Sequence, residues 1–135
     1  MTVLDSSVVI DFLLGDGVAA EVEELLSREG TVAAPDLLIF EVVAVLRRDV
    51  RREMLDPERA RCAIADLGDL PIEFFGALPL RGRAWELREN MTAADALFVA
   101  LAEDLGETLA TKDRGLASAA RVHARIGTLE LGHPD

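Results

Sequence analysis

Four acids stand where this sequence would otherwise be apolar or ready to turn. Leu37 to Leu46 reads LLIFEVVAVL, nine apolar residues around Glu41, and Ala93 to Ala102 is apolar except for Asp95. Asp5 closes the short run Thr2 to Leu4, and Asp113 lies just past Thr108 to Thr111. An ionised carboxylate among apolar groups is costly unless it is paired or bound to a cation. The chain has one lysine, Lys112, and no arginine inside these runs. A shared cation site is one reading, and hard oxygen ligands without histidine or thiolate suit Mg2+ or Mn2+ rather than zinc. The plainer reading stays open for each acid. Glu41 could reach a helix end, Asp95 suits the positive end of a helix dipole, and Asp5 and Asp113 could be simple caps.

The elements that must carry these acids alternate. Thr2 to Leu4, Thr31 to Ala34, Pro71 to Phe75, Thr108 to Thr111 and Thr128 to Leu131 read as short strands. Between them, Ser6 or Ser7 caps a helix packed by Val8, Val9, Ile10, Phe12 and Leu13, and Asp16-Gly17 breaks it. Val18, Val22, Leu25 and Leu26 recur at helical spacing, with Glu21, Glu23 and Glu24 as a solvated face, and Gly30 stops that helix. A third helix runs from Leu37 to about Arg52, and a fourth opens at Asp56-Pro57 and reaches about Leu67. Pro79 opens one through Trp85 and Leu87 to near Asn90. Thr92 caps the helix of Asp95, which Gly106 ends, and a small helix follows Gly115. Alternation of this kind predicts one α/β domain over residues 1–135, with a short, mostly parallel central sheet and helices on both faces. In such a sheet, ligands bind outside the carboxyl ends of the strands, where Asp5 and Asp113 fall.

Composition narrows the function. At 135 residues and half hydrophobic, the chain suits one folded domain with a core. No apolar run reaches the roughly 18 residues of a membrane span, and MTVLDSS lacks a basic segment before an apolar one, so a cytoplasmic location is expected. Cys62 is alone and the histidines are His123 and His133, which argues against a Cys/His zinc site. The net charge of −11 opposes broad, sequence-blind nucleic-acid binding. Metal held by the acids would cancel local charge, and thirteen of the fourteen basic residues are arginine, which grips phosphate in two-pronged fashion.

LDSSVVIDFLL, PDLLIFEVVAVLRR and TAADALFVALAEDLGETLATKDRGL together resemble the three signature blocks of PIN domains, most closely the VapC toxins of toxin–antitoxin pairs. The resemblance runs end to end. It implies metal-binding acids at Asp5, Glu41, Asp95 and Asp113, a site-flanking hydroxyl at Thr111, and a Mg2+-dependent endoribonuclease cutting structured RNA, commonly transfer RNA. It also implies a homodimer and a neutralising antitoxin with an arginine-bearing tail. Ala94, often aromatic in the family, and Phe98, often tyrosine, depart from the pattern as packing changes.

Such a centre hydrolyses a phosphodiester by activating water, stabilising charge at phosphorus and assisting the leaving oxygen. Magnesium keeps several waters, so Asp5 and Asp95 are expected as principal ligands, with Glu41 and Asp113 bound directly or through water. Ser6 and Ser7 are better caps than nucleophiles, because no histidine stands in a triad context. Lys112 could touch the scissile phosphate or be an ordinary turn residue. Trp85 reads as core or dimer contact before base platform. Arg48 and Arg52 follow Glu41 by seven and eleven residues. At about 100° and 1.5 Å per residue they stay within about 20° of its direction, roughly 10 to 17 Å along the helix, as RNA contacts or as a solvated helix end pairing with Asp49 or Glu53.

Two other classes compete. A phosphatase using Asp5 as nucleophile usually has an aspartate two residues on, where this chain has Ser7. A phosphate-accepting receiver domain needs an aspartate ending a central strand, and only Asp36, after a proline, is near.

Overall fold

Central strands of a parallel sheet are buried on both faces, so they read as short apolar runs. That is how β1 (Val3–Leu4), β2 (Val32–Pro35) and β4 (Leu109–Thr111) stand, buried at every position, while β3 (Ile72–Phe75) and β5 (Thr128–Glu130) form the half-exposed edges. The structure is a computed structural model describing residues 1–132, and His133 lies outside the described residues. Among those described, the strands form a single all-parallel sheet in the order β3-β2-β1-β4-β5. Val3 pairs with Ala33 on one side and Leu109 on the other.

The chain steps outward from β1 through β2 to β3, then returns to β4 on the other side of β1. The reversal makes the carboxyl end of β1 a topological switch point, where a crevice opens. Right-handed crossovers then put the helices of the two halves on opposite faces. α1 (Ser6–Leu14) packs on α2 (Ala19–Glu29), α3 (Leu37–Arg51) and α4 (Pro57–Leu67). α6 (Ala93–Leu105) crosses β1, β2 and β4, with α5 (Arg81–Glu86) against it, and α7 (Arg114–His123) lies on β4 and β5. α6 buries Ala96 and the unbroken run Phe98 to Ala102, as a largely apolar central helix should. Phe98 is among the largest fully buried side chains, which fits a packing role.

Most expected boundaries hold within a residue or two. Asp56 caps α4 through its carboxylate, with Pro57 at the first position, and Thr92 accepts the Asp95 amide at 3.2 Å. Gly106, at φ +66°, ends α6. Three expectations are corrected. Neither Ser6 nor Ser7 caps α1: both lie inside it, and Asp5 holds the cap position without using its side chain there. The helix after Pro79 is a 3-10 turn (Leu78–Leu80) and a short α5, not a run to Asn90, because the chain must sink Leu87 and then turn into the extended Thr92 cap. α7 begins at Arg114, before Gly115, because Asp113 caps it by accepting the Leu116 amide at 3.1 Å.

Candidate active site

Three of the four acids arrive from different elements at the mouth beside β1, and the fourth caps α7. Asp5 ends β1 and is buried. Its Oδ2 accepts a 2.7 Å hydrogen bond from Thr111 Oγ1, and the Ser6 and Ser7 hydroxyls stand off at 3.4 Å. Thr111, fully buried at the end of β4, also accepts the Asp113 amide at 3.1 Å. One hydroxyl therefore ties Asp5 to the corner carrying Asp113. Asp113 commits Oδ1 to capping α7, so the cap reading of this residue is correct for that oxygen.

Glu41 enters from α3 and Asp95 from the first turn of α6. Burial raises the Glu41 carboxyl above its ordinary range, and the Asp5 and Asp95 charges push the same way against a hydrogen bond from Ser6. Burial also raises Asp95, reinforced by Asp5 and Asp113 and opposed by Thr92. Glu41 thus feels Asp5 and Asp95, Asp95 feels Asp5 and Asp113, and the repulsion asks for positive charge.

One buried atom of this set lacks a partner. Glu41 Oε1 is buried and makes no hydrogen bond, the only such side-chain atom among the described residues. A buried carboxylate oxygen without a donor is costly unless a cation serves it. Among the described residues, no three Asp, Glu, His or Cys side chains close into a ready-made cage. Four like charges have reason to stand apart in the bare protein, and Mg2+ or Mn2+ needs few direct carboxylates because water fills its other positions. The donor set, all hard oxygens with one orphaned, fits such an ion.

The flanking residues divide. Lys112 directs Nζ to Asp11 Oδ2 at 2.6 Å. Arg48 pairs with Asp49 at 3.1 Å but also lines a cavity of about 380 Å3 with Ser6, Ser7, Asp11 and Lys112. It therefore lines the cavity beside Ser6 and Ser7 and also makes the expected solvent-side pair. Arg52, exposed, sits at the C-terminal cap of α3. Trp85 is not core: it is 68% exposed, with the Arg88 guanidinium 4.5 Å from its ring centre. Asp11 was missed by sequence reasoning. Its signal was the one used for Glu41 and Asp95, an acid inside an apolar run (SVVIDFLL).

The PIN domain family model matches residues 2–122. Ribonuclease VapC12 of Mycobacterium tuberculosis is 34% identical over 131 residues, covering 97% of this chain and 98% of that one. Ribonuclease VapC1 of the same organism is 41% identical over 118 residues, covering 87% and 89%. Among solved structures, PAE2754 from Pyrobaculum aerophilum superposes with a TM-score of 0.69 at 22% identity over 87% of this chain and 78% of that one. VapBC2 from Rickettsia felis, bound to a DNA fragment from its promoter, gives 0.68 at 14% over 96% and 98%. The switch-point acids, the parallel sheet and these near-full-length likenesses agree, and the chain belongs to the PIN-domain family, within its VapC branch.

Proposed function

We propose that this protein is a Mg2+-dependent endoribonuclease, the toxin of a VapBC-type toxin–antitoxin pair, acting on structured RNA such as transfer RNA. The observation that carries the reading is the buried, partnerless Glu41 Oε1 beside mutually repelling carboxylates. Family membership and the ribonuclease names of the relatives support it. It also displaces the phosphatase and receiver-domain readings. Asp36, the receiver's one candidate acceptor, is exposed at the start of α3.

When bound, Mg2+ or Mn2+ supplies charge stabilisation at phosphorus and a more acidic water. Asp5 and Asp95 would hold the ion, and Glu41 and Asp113 would bind it directly or through water and orient the attacking water. Thr111 keeps Asp5 aimed by donating to Oδ2. Arg48, and Arg52 beyond it, receive the next phosphates of the strand.

VapBC and FitAB assemblies among the structural neighbours support an antitoxin partner. An antitoxin places an arginine over the acidic site, and two toxin copies form a homodimer in the cytoplasm. Among the described residues no helix is long and apolar enough to cross a membrane.

The deciding experiment incubates purified protein with total RNA in Mg2+, with EDTA and Asp5→Asn as controls, and maps the cleaved 5′ ends. Cleavage that persists in EDTA overturns the metal reading. No cleavage of any RNA by folded, metal-loaded protein overturns the nuclease. Expression without the antitoxin arrests growth, and the Asp5→Asn form does not.

A further inference from the structure

Lys112, the chain's one lysine, stands between two residues of the candidate centre: Thr111, which donates to Asp5, and Asp113. Its stem is flexible and ends in a compact, mobile charge. Four neighbouring carboxylates are a strong attraction for such a charge, and an ammonium among them would occupy the place of a metal ion. The structure holds it elsewhere. Nζ lies 2.6 Å from Asp11 Oδ2.

Asp11 is itself held firmly. Its side chain is 14% exposed, and the same Oδ2 accepts the Val18 amide at 3.1 Å. Gly17 makes this possible: it sits at φ +53°, and a Cβ there would stand 2.0 Å from Asp11 Oδ2. The ion pair shares a cavity with Ser6 and Ser7, whose hydroxyls are 3.4 Å from the Asp5 carboxylate. The lysine is thus paired with Asp11 in a cavity whose wall includes the two serines beside Asp5.

We propose that Asp11 is a positioning residue that holds Lys112 out of the carboxylate centre and so keeps the centre open to a divalent cation. The inference rests on the metal reading above. Two rival accounts exist. The pair could be a staple joining α1 to the corner after β4, or its two charges could act on the centre only through space.

Mn2+ binding, measured by calorimetry on the full chain, separates the three. Asp11→Asn keeps an acceptor for Val18 and removes the charge. It is expected to weaken Mn2+ binding about tenfold as Lys112 moves into the centre. Lys112→Gln alone is expected to change affinity by less than about twofold, and in the Asp11→Asn background to restore nearly the whole loss. An Asp11→Asn protein that binds like the parent overturns the proposal. So does a double variant that stays as weak as Asp11→Asn, which marks a staple, or a Lys112→Gln effect of equal size in both backgrounds, which marks charge through space. If Asp11→Asn does not fold, Lys112→Gln still decides, because a tenfold loss from that change alone contradicts a lysine that must be kept away. A parent that binds no Mn2+ fails at the metal reading itself and takes this inference with it.

Discussion

Thr111 Oγ1 lies 2.7 Å from Asp5 Oδ2 and accepts the Asp113 amide at 3.1 Å, so one buried hydroxyl joins the carboxyl ends of β1 and β4. Replacing it with an isosteric methyl leaves both partners short of a bond. Thr111→Val is expected to lower Mn2+ affinity or RNA cleavage by about 10- to 100-fold, the usual loss when a ligand's orienting partner is removed. It should also cost about 1.5 to 3 kcal/mol of stability, because the lost bond ends on a charged group. Denaturant melts and Mn2+ titration check both, and a variant equal to the parent in both would show the contact to be idle.

Asp5→Asn and Asp95→Asn each remove one charge of a mutually repelling set. Cleavage is expected to fall by at least about 100-fold, the upper end of what loss of an orienting partner costs. The metal-free proteins should fold, with stability unchanged or raised. Initial rates on a mapped RNA and thermal melts in chelator test this together. Wild-type cleavage by either variant removes that residue from the centre.

The raised carboxyls of Glu41 and Asp95 set a pH dependence for the metal-free protein. Their ordinary values are 4.5 and 3.8, and burial with neighbouring charge lifts both in the folded state. The folded chain therefore takes up protons before the unfolded chain does. Stability contributed by these two groups rises as pH falls through the folded values and levels off below the ordinary ones. In EDTA, acidification from neutral pH down toward those ordinary carboxyl values should shift the melting temperature upward in the parent relative to Asp95→Asn. Parallel curves for the two proteins would contradict the shifts.

Arg48 and Arg52 carry the RNA-path prediction. In an Asp5→Asn background, Arg48→Ala with Arg52→Ala should weaken RNA binding and flatten the plot of log affinity against log salt by about 1.4, at roughly 0.7 for each lost phosphate contact. Mn2+ affinity should not move. Equal binding at every salt concentration would leave Arg48 as the partner of Asp49 alone.

Much of this molecule was legible from neighbours along the chain. Helical spacing and caps located α2, α3, α4 and α6, because each depends on contacts within a few residues. The acids Glu41 and Asp95 stood out because burial makes a carboxylate improbable in an apolar run. The helix after Pro79 is shorter than its local signals imply, since its length depends on where Leu87 must sink into the core and not on local preference.

What the sequence by itself determined was the list of acids and the elements that carry them, since both are matters of type and period. Tertiary structure alone decided how they are used. Asp11 and Lys112 are 101 residues apart, and no local pattern tells a lysine which of several nearby acids it will face. The same holds for Thr111 and Asp5, and for the oxygen of Glu41 that is left without a donor. Those outcomes depend on the register in which β1 and β4 pair and on the path of α3 past their ends, and only the closed sheet supplies them.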